Sequence, residues 1–344
     1  MELKRRATLR DVANLAGVSI ATASIALNGQ HTKRITPETI SNVVHAAEQL
    51  GYQPNLHAQT LKGKRSTIIG LVIPDITNAF YPEITKGVID RAYELGYNVV
   101  LFNTDNDIQK EKFAIETLTS MRSEGIILCG IYNPGEEEHG LLQKLRNIHV
   151  PVVQIDRYDA RGIVPYVAID NFRAAYAMME WLIQLGHQRI AAVTPGLQLH
   201  ITDERLRGYR QALEDYNLPY DPALVLREYI SEMQKVKVDA AVDTLIRSQC
   251  TAAFILMGDM FALECMDKLR AKGIRVPEDM SIAGFDDIRA AGAAGLTAVR
   301  QPKYEMGQAA ADLLCSILQG DNLAGKSIVL PYEIVQRGSV CAYN

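Results

Sequence analysis

Two groups of residues in this 344-residue chain have the types and spacing for molecular recognition. The first runs from Ser19 to Asn28. It offers hydroxyls (Ser19, Thr22, Ser24), a carboxamide (Asn28) and small or branched apolar side chains (Ile20, Ala21, Ile25), with no acid among them. Such a surface can approach phosphates and base edges without like-charge repulsion. The second group is dispersed, and each member follows a short apolar run. Phe80 and Tyr81 come soon after Ile68–Ile73, and Asn103-Thr104-Asp105 after Asn98–Phe102. Asp156-Arg157 ends Val150–Ile155, Asp170-Asn171 ends Val167–Ile169, and Asp286-Asp287 ends Ser281–Phe285, while Arg205 sits at the start of a helical stretch. Any one of these is more often a cap or a surface group. Together, aromatics, carboxylates and one arginine at strand ends suit a cleft for a hydroxyl-rich or heterocyclic small molecule.

Turnover chemistry has little to build on. The chain holds no G-x-S-x-G, H-E-x-x-H or G-x-x-x-x-G-K-[ST]. Adjacent side chains diverge, so Asp286 and Asp287 make a poor catalytic acid pair. Cys129, Cys250, Cys265, Cys315 and Cys341 show no C-x-x-C spacing and read as reduced thiols, not as disulfides or a metal site. No metal and no cofactor are expected. No run of eighteen apolar residues predicts a membrane span, and the charged N-terminus leads into no apolar stretch, so a cytoplasmic protein is expected.

The elements that position the first group are short helices. Thr8 and Asp11 form a capping-box start, followed by Leu9, Val12, Ala13 and Ala16 at helical spacing, and Gly17 ends the helix. Ser19 caps a second helix, in which Ala23, Ala26 and Leu27 share one face and leave Ala21, Thr22, Ser24, Ile25 and Asn28 outward. Thr36-Pro37-Glu38 opens a third helix with Ile40, Val43, Val44, Ala47 and Leu50 as its expected buried stripe, stopped by Gly51. This is a helix-turn-helix pattern. Residues 1–65 carry nine Lys/Arg against four Asp/Glu, a net of +5, whereas the remaining 279 carry 27 against 36, a net of −9. Only the first part is suited to a polyanion.

The second group sits in a different pattern. From Thr67 onward apolar runs alternate with amphipathic stretches: strands over Gly125–Leu128, Ile190–Val193 and Ala253–Met257 besides those above, and helices over Ile84–Leu95, Ala174–Leu185, Arg205–Tyr216 and Ala262–Lys272. That alternation predicts parallel sheets covered on both faces, in two doubly wound lobes whose ligands bind beyond the strand ends. Ile328–Val335 reads as a final strand, and the nine residues after it are too few for a heptad tail.

Thr8-Leu9-Arg10-Asp11-Val12-Ala13, Ala16-Gly17-Val18-Ser19, Thr22-Ala23-Ser24 and Leu27-Asn28 resemble the headpiece of the lactose-repressor (LacI/GalR) family. Gly51-Tyr52-Gln53-Pro54-Asn55 with Ala58-Gln59-Thr60-Leu61 resembles that family's hinge helix. The resemblance continues through Asn78-Ala79-Phe80-Tyr81, Asp170-Asn171, Leu185-Gly186-His187-Gln188-Arg189-Ile190-Ala191, Glu204-Arg205-Leu206-Arg207-Gly208-Tyr209, Gly284-Phe285-Asp286-Asp287 and Arg300-Gln301-Pro302, in family order.

The resemblance implies a second helix that enters the major groove and paired hinge helices in the minor groove, where Leu61 would wedge between base pairs. Candidate DNA contacts are Thr8, Ser19, Ile20, Ala21, Thr22, Ser24, Ile25 and Asn28 in the head, with Asn55, Ala58 and Leu61 in the hinge. Ile25 stands where many members carry an arginine for guanine, so readout must lean on thymine methyls, Thr22, Ser24, Asn28 and shape. The family's sensor is similar to periplasmic sugar-binding proteins. Its implied effector contacts are Phe80, Tyr81, Asp156, Arg205, Met233, Gly258 and Asp286. Gly258 replaces the usual asparagine before Asp259 and removes one polar contact. His187 falls in a signature whose role is structural.

The expected fold is an all-α helix-turn-helix headpiece plus hinge helix (1–65, the hinge at about 54–63), joined to an α/β two-lobed periplasmic-binding-protein-like effector domain (66–344). The expected function is a DNA-binding transcription regulator, a repressor by resemblance, acting as a homodimer on near-palindromic double-stranded operator DNA under control of a small-molecule effector. An enzyme and a free-standing small-molecule-binding protein are the rival readings.

Overall fold

The computed structural model describes residues 7–27, 35–52, 66–130, 150–159, 164–196, 199–228, 238–321 and 326–343. The chain divides into two units, Met1–Ser66 and Thr67–Asn344. In the first, helix Leu9–Leu15 begins at the full Thr8–Asp11 capping box. It ends in a paired turn, Val18 N–H to Ala13 O (3.0 Å) and Gly17 N–H to Asn14 O (3.3 Å), with Gly17 at φ +66. Only glycine takes that left-handed backbone cheaply. Helices Ile20–Leu27 and Pro37–Gln49 complete the bundle.

The core of this unit is largely alanine: Ala13, Ala23, Ala26, Ala46 and Ala47 around Val12 and Val43. Small side chains let the helices approach closely, which narrows the buried stripe. Val44 and Leu50, expected inside, are each 38% exposed, and Ala46 takes the buried place. At 100° per residue Val44 has turned off the narrow contact that Val43 makes. The expected hinge helix, with Asn55, Ala58 and Leu61, lies outside the described residues, as does Asn28.

The second unit holds two six-stranded sheets. Strands β1 (Ile68–Ile73), β2 (Asn98–Asn103), β3 (Gly125–Leu128), β4 (Val152–Ile155), β5 (Tyr166–Ile169) and β11 (Ser327–Leu330) form one, in the order β11-β5-β4-β3-β1-β2. Strands β6 (Ile190–Pro195), β7 (Val225–Glu228), β8 (Ala252–Ile255), β9 (Ser281–Asp286), β10 (Thr297–Arg300) and β12 (Glu333–Val335) form the other, in the order β12-β10-β9-β8-β6-β7. The two lobes thus repeat one topology, although no repeat shows in the sequence by identity. Pairing is parallel throughout the first sheet, with β1 joined to both β2 and β3. The second is parallel except for β12, which runs antiparallel to β10. Central strands such as β8 and β9 are buried along their whole length, as sheets covered on both faces require.

Three segments pass between the lobes: Asp170 after β5, Gln301-Pro302 after β10, and Pro331-Tyr332 between β11 and β12. The last corrects the expectation of one strand over 328–335. Pro331 offers no N–H for a ladder, so the run breaks into two strands, one in each sheet.

The helices Tyr81–Glu94, Asn171–Gln184, His200–Asp215 and Asp259–Ala271 begin three to five residues before the apolar periodicity does. Their first turns add Tyr81, Asn171 and Asp259, buried residues at the cleft, ahead of the main apolar stripe. Arg205 consequently lies in the second turn of its helix, not at its start. Helix Lys303–Leu318 returns to the first lobe, where it packs on β3, β4, β5 and the Tyr81–Glu94 helix. A Cβ on Gly87 would stand 2.1 Å from Tyr304 O, and one on Gly307 2.2 Å from Ile84 O. These two helices therefore touch backbone to backbone.

Candidate functional site

In the head, Ser19 Oγ accepts the Thr22 N–H at 3.1 Å and lies 2.9 Å from Thr22 Oγ1. This caps the second helix and fixes both hydroxyls on its leading end. No acid occupies the first turn of that helix, so its positive end is open to an anion. Thr8, Ser19, Ile20 and Ala21 are exposed, and Thr22, Ser24 and Ile25 are half-buried, whereas Ala23 and Ala26 are buried. Six of the expected head contacts thus share the outward side of the second helix and its cap, and Thr8 is held by its capping box with Asp11.

In the two-lobed unit, the strand ends converge. Phe80 and Tyr81 follow β1, with their rings edge to face at 5.1 Å. Asp156 follows β4, at φ +62, and Asp286 ends β9, at φ +114. Phe80, Tyr81, Asp156, Arg205 and Asp286 are all buried. Arg205 is held on three sides. Its Nε donates to Asn171 Oδ1 (2.8 Å), its Nη1 to Leu256 O (2.7 Å), and its guanidinium lies 3.7 Å from the Phe285 ring centroid.

The electrostatics join the lobes. Burial raises the Asp156 carboxyl, against the pull of Arg205 and Arg157. Burial also raises Asp286, to about 6; Arg205 pulls it down and the facing Asp156 pushes it up. Asp259 is pushed up to about 8 by burial and by neighbouring Asp286. Two first-lobe groups and two second-lobe groups therefore share one field: Tyr81 and Asp156 with Arg205 and Asp286. Cys129 approaches Tyr81 Oη (3.9 Å) and Asp156 Oδ2 (3.8 Å), and burial lifts its thiol to about 12. A neutral thiol wedged among cleft groups is packing, not a nucleophile.

Gly258 lies beside the second-lobe acid, where an added Cβ would meet Asp286 Oδ2 at 3.0 Å. Its φ of +114 suits glycine, and its missing side chain leaves the carboxylate approachable. Met233 lies outside the described residues. Asp287 points elsewhere: its oxygens accept Arg300 Nε (2.7 Å) and Arg337 Nη1 (2.7 Å). The two adjacent acids do diverge, as their spacing implied. His187 is buried between Thr251 Oγ1 and Cys341 O, each at 3.0 Å, a structural placement.

Sequence reasoning missed several members. Asn171 orients Arg205, and Asp259 Oδ2 accepts the Ile288 N–H (2.9 Å), closing the turn after Asp286. Gln301 Nε2 donates to Asp286 Oδ1 (2.7 Å), and Lys303 Nζ donates to Asp286 O (2.7 Å). Asn171 and Gln301 stood in the quoted signatures without a role. The signal for Lys303 was only its place, directly after a strand-end Gln-Pro. Among the described residues no group of three His, Cys, Asp or Glu could hold a metal ion, and no helix is long and apolar enough to cross a membrane.

Comparison with known proteins matches residues 8–55 to the model for bacterial regulatory proteins of the lacI family, and residues 179–340 to a periplasmic binding protein-like domain. The HTH-type transcriptional regulator DegA of Bacillus subtilis is 34% identical over 344 residues, 98% of this chain and 99% of that protein. Among solved structures, the transcriptional regulator CelR–cellobiose complex is 30% identical, covers 97% of this chain and 100% of that one, and has a TM-score of 0.71. The lac repressor dimer bound to operator and the anti-inducer ONPF is 26% identical over 98% of this chain and 100% of that one, with a TM-score of 0.83.

Proposed function

The chain belongs to the lacI family of bacterial regulatory proteins and is a helix-turn-helix transcriptional regulator, and on that premise we propose that residues 1–65 bind operator DNA while residues 66–344 bind a small polyhydroxy effector between the lobes. The observation that carries the effector half is the meeting of Asp156 and Asp286, at strand ends of the two lobes, with Arg205 from the His200–Asp215 helix. Two carboxylates accept hydroxyl protons, a locked guanidinium donates to oxygen, and Phe80 or Tyr81 covers an apolar face. The two buried acids offset the positive charge of Arg205 and Arg157, so the effector is an uncharged sugar or a close relative. The cellobiose in the CelR complex is of that class. Gly258 and Met233 border the same ligand.

On the DNA side the exposed, acid-free leading end of the Ile20–Leu27 helix supports insertion into the major groove. Thr8, Ser19, Ile20, Ala21, Thr22, Ser24, Ile25 and Asn28 contact DNA there, and Asn55, Ala58 and Leu61 of the hinge contact the minor groove. One short recognition helix reads a half-site, so the working form is a homodimer on a near-palindromic operator, in the cytoplasm. It acts as a repressor.

The test is a thermal-shift screen of the full chain with uncharged sugars, sugar phosphates and purines, repeated with operator DNA present. Stabilisation by an uncharged sugar, lost on Asp286→Ala, is expected. Such a charged hydrogen bond is worth roughly 1.5–3 kcal/mol, so affinity should fall on the order of tenfold to a hundredfold. Stabilisation by a sugar phosphate alone would overturn the effector class.

A further inference from the structure

We propose that Gln301 and Lys303 form a clasp that ties Asp286 to the first lobe, with Lys303 as the positioning residue that holds the two walls of the cleft in register. Asp286 and Asp287 are successive non-glycine residues with positive φ, +114 and +50. Such backbone persists only where its surroundings over-determine it. Asp259 on the Ile288 N–H and Arg300 and Arg337 on the Asp287 carboxylate supply part of them, and the crossing segment after β10 supplies the contacts to the two main-chain carbonyls. Lys303 Nζ donates to Asp286 O (2.7 Å) and to Asp287 O (3.0 Å), and Gln301 Nε2 donates to the Asp286 carboxylate (2.7 Å). Pro302, at φ −77 and ψ 68, forms an inverse γ-turn closed by Lys303 N–H to Gln301 O (2.9 Å). That turn brings residues 301 and 303, either side of the proline, onto one aspartate.

Lys303 is 3% exposed, and the carboxylate nearest to it, on Glu83, is 4.0 Å away. Packing alone does not call for a buried ammonium, because an apolar side chain would fill the same space without loss of hydration. Its two main-chain carbonyl partners account for it. Lys303 also opens the Lys303–Leu318 helix, which is locked to the Tyr81–Glu94 helix by the Gly87 and Gly307 backbone contacts. The connection therefore runs from Tyr81 through the two-glycine crossing to Lys303 and on to Asp286. Both walls of the proposed effector cleft hang on it.

The inference takes from the functional reading only the role of Asp286, and the experiment needs no effector, so either can fail without the other. Amide hydrogen exchange of the full chain is compared for the wild type, Lys303→Met, Lys303→Arg and Gln301→Leu. Lys303→Met should speed exchange across residues 286–290 by about tenfold, a local opening that leaves the head unchanged. Lys303→Arg keeps a buried donor and should restore protection. Gln301→Leu should leave exchange in place but raise the titration midpoint of Asp286 in carbon-13 carboxyl spectra, where Arg205, Asp156, Asp259 and Lys303 are the charged or titratable groups that act on it. Lys303→Gln, with one donor of similar reach, replaces Lys303→Met if the latter does not fold, and should loosen the same segment. Unchanged exchange in the neutral variant that folds, or equal loosening in Lys303→Arg, overturns the clasp. An unmoved Asp286 midpoint in Gln301→Leu overturns its carboxylate half.

Discussion

Replacing Gly307 by alanine isolates the helix crossing beneath the cleft. The new Cβ would lie 2.2 Å from Ile84 O and 2.8 Å from Val88 N, both backbone atoms of the neighbouring helix. No rotamer relieves the clash, so the helices must separate by about 1 Å, at an overpacking cost of roughly 1–3 kcal/mol or more. Alanine recovers up to about 1 kcal/mol of helix propensity over glycine. The upper part of the cost range applies because the Lys303–Leu318 helix is already seated on β3, β4 and β5 and has nowhere to go. A net loss of about 2 kcal/mol should lower the melting temperature by roughly 4–8 °C in a unit of this size. Gly292 supplies the contrast. It is helical, and its added Cβ would meet nothing closer than Arg337 Nη2 at 3.7 Å, so Gly292→Ala should be neutral or slightly stabilising. Differential scanning calorimetry of the three proteins decides the matter. If Gly307→Ala melts with or above the wild type, the crossing is not as tight as its backbone contacts imply, and the reasoning fails.

Asp259 and Asp286, raised to about 8 and about 6, hold protons in the folded state that the unfolded chain has released. Stability should therefore fall as pH rises from about 4 to about 8, with Asp259 responsible for most of the fall above pH 6. Melting curves of Asp259→Asn between pH 6 and 8 should lose that fall, and a difference from wild type that does not change with pH would count against it. Ser19→Ala removes the cap seen at 3.1 Å and should weaken the second helix by about 0.5–2 kcal/mol, read as earlier melting of head resonances while the larger unit is unaffected. A protein starting at Ser66 should lose specific operator binding and keep effector binding. In the full chain, operator affinity should drop steeply with salt, about 0.9 log units per log unit of salt for each phosphate neutralised by Lys4, Arg5, Arg6, Arg10, Lys33 and Arg34. Specific binding by the truncated protein would refute the assignment of DNA recognition to residues 1–65.

Much of this fold is written in local patterns. Strands β1 and β3 begin and end where their apolar runs do, and Thr8, Gly17 and Thr36 punctuate the head as their side chains dictate. Strands β7 and β10 escaped because Val225–Glu228 and Thr297–Arg300 are four-residue runs ending in charge, which alternation cannot distinguish from loop. The cleft acids were legible because strand ends are where such sheets bind ligands. What fixes them was not. Lys303 reaches Asp286 only because β9 and β10 are neighbours in the sheet, and Asn171 reaches Arg205 only because their helices pack together. Those are facts of topology, and no spacing in the sequence encodes them.

The way the chain revisits the first lobe governs how it can be made. Strand β11 pairs with β5, Ser327 opposite Tyr166, and helix Lys303–Leu318 covers β3, β4 and β5. While the ribosome is still building the second lobe, the first therefore has an uncovered sheet face and an unpaired β5 edge. Such surfaces invite association between nascent chains. The lobe cannot close until Leu330 of the 344 residues has been synthesised, so its folding is largely post-translational. Premature stops just before Lys303 should yield aggregates that engage chaperones, even though every proposed DNA and effector contact would already be present in the shortened chain.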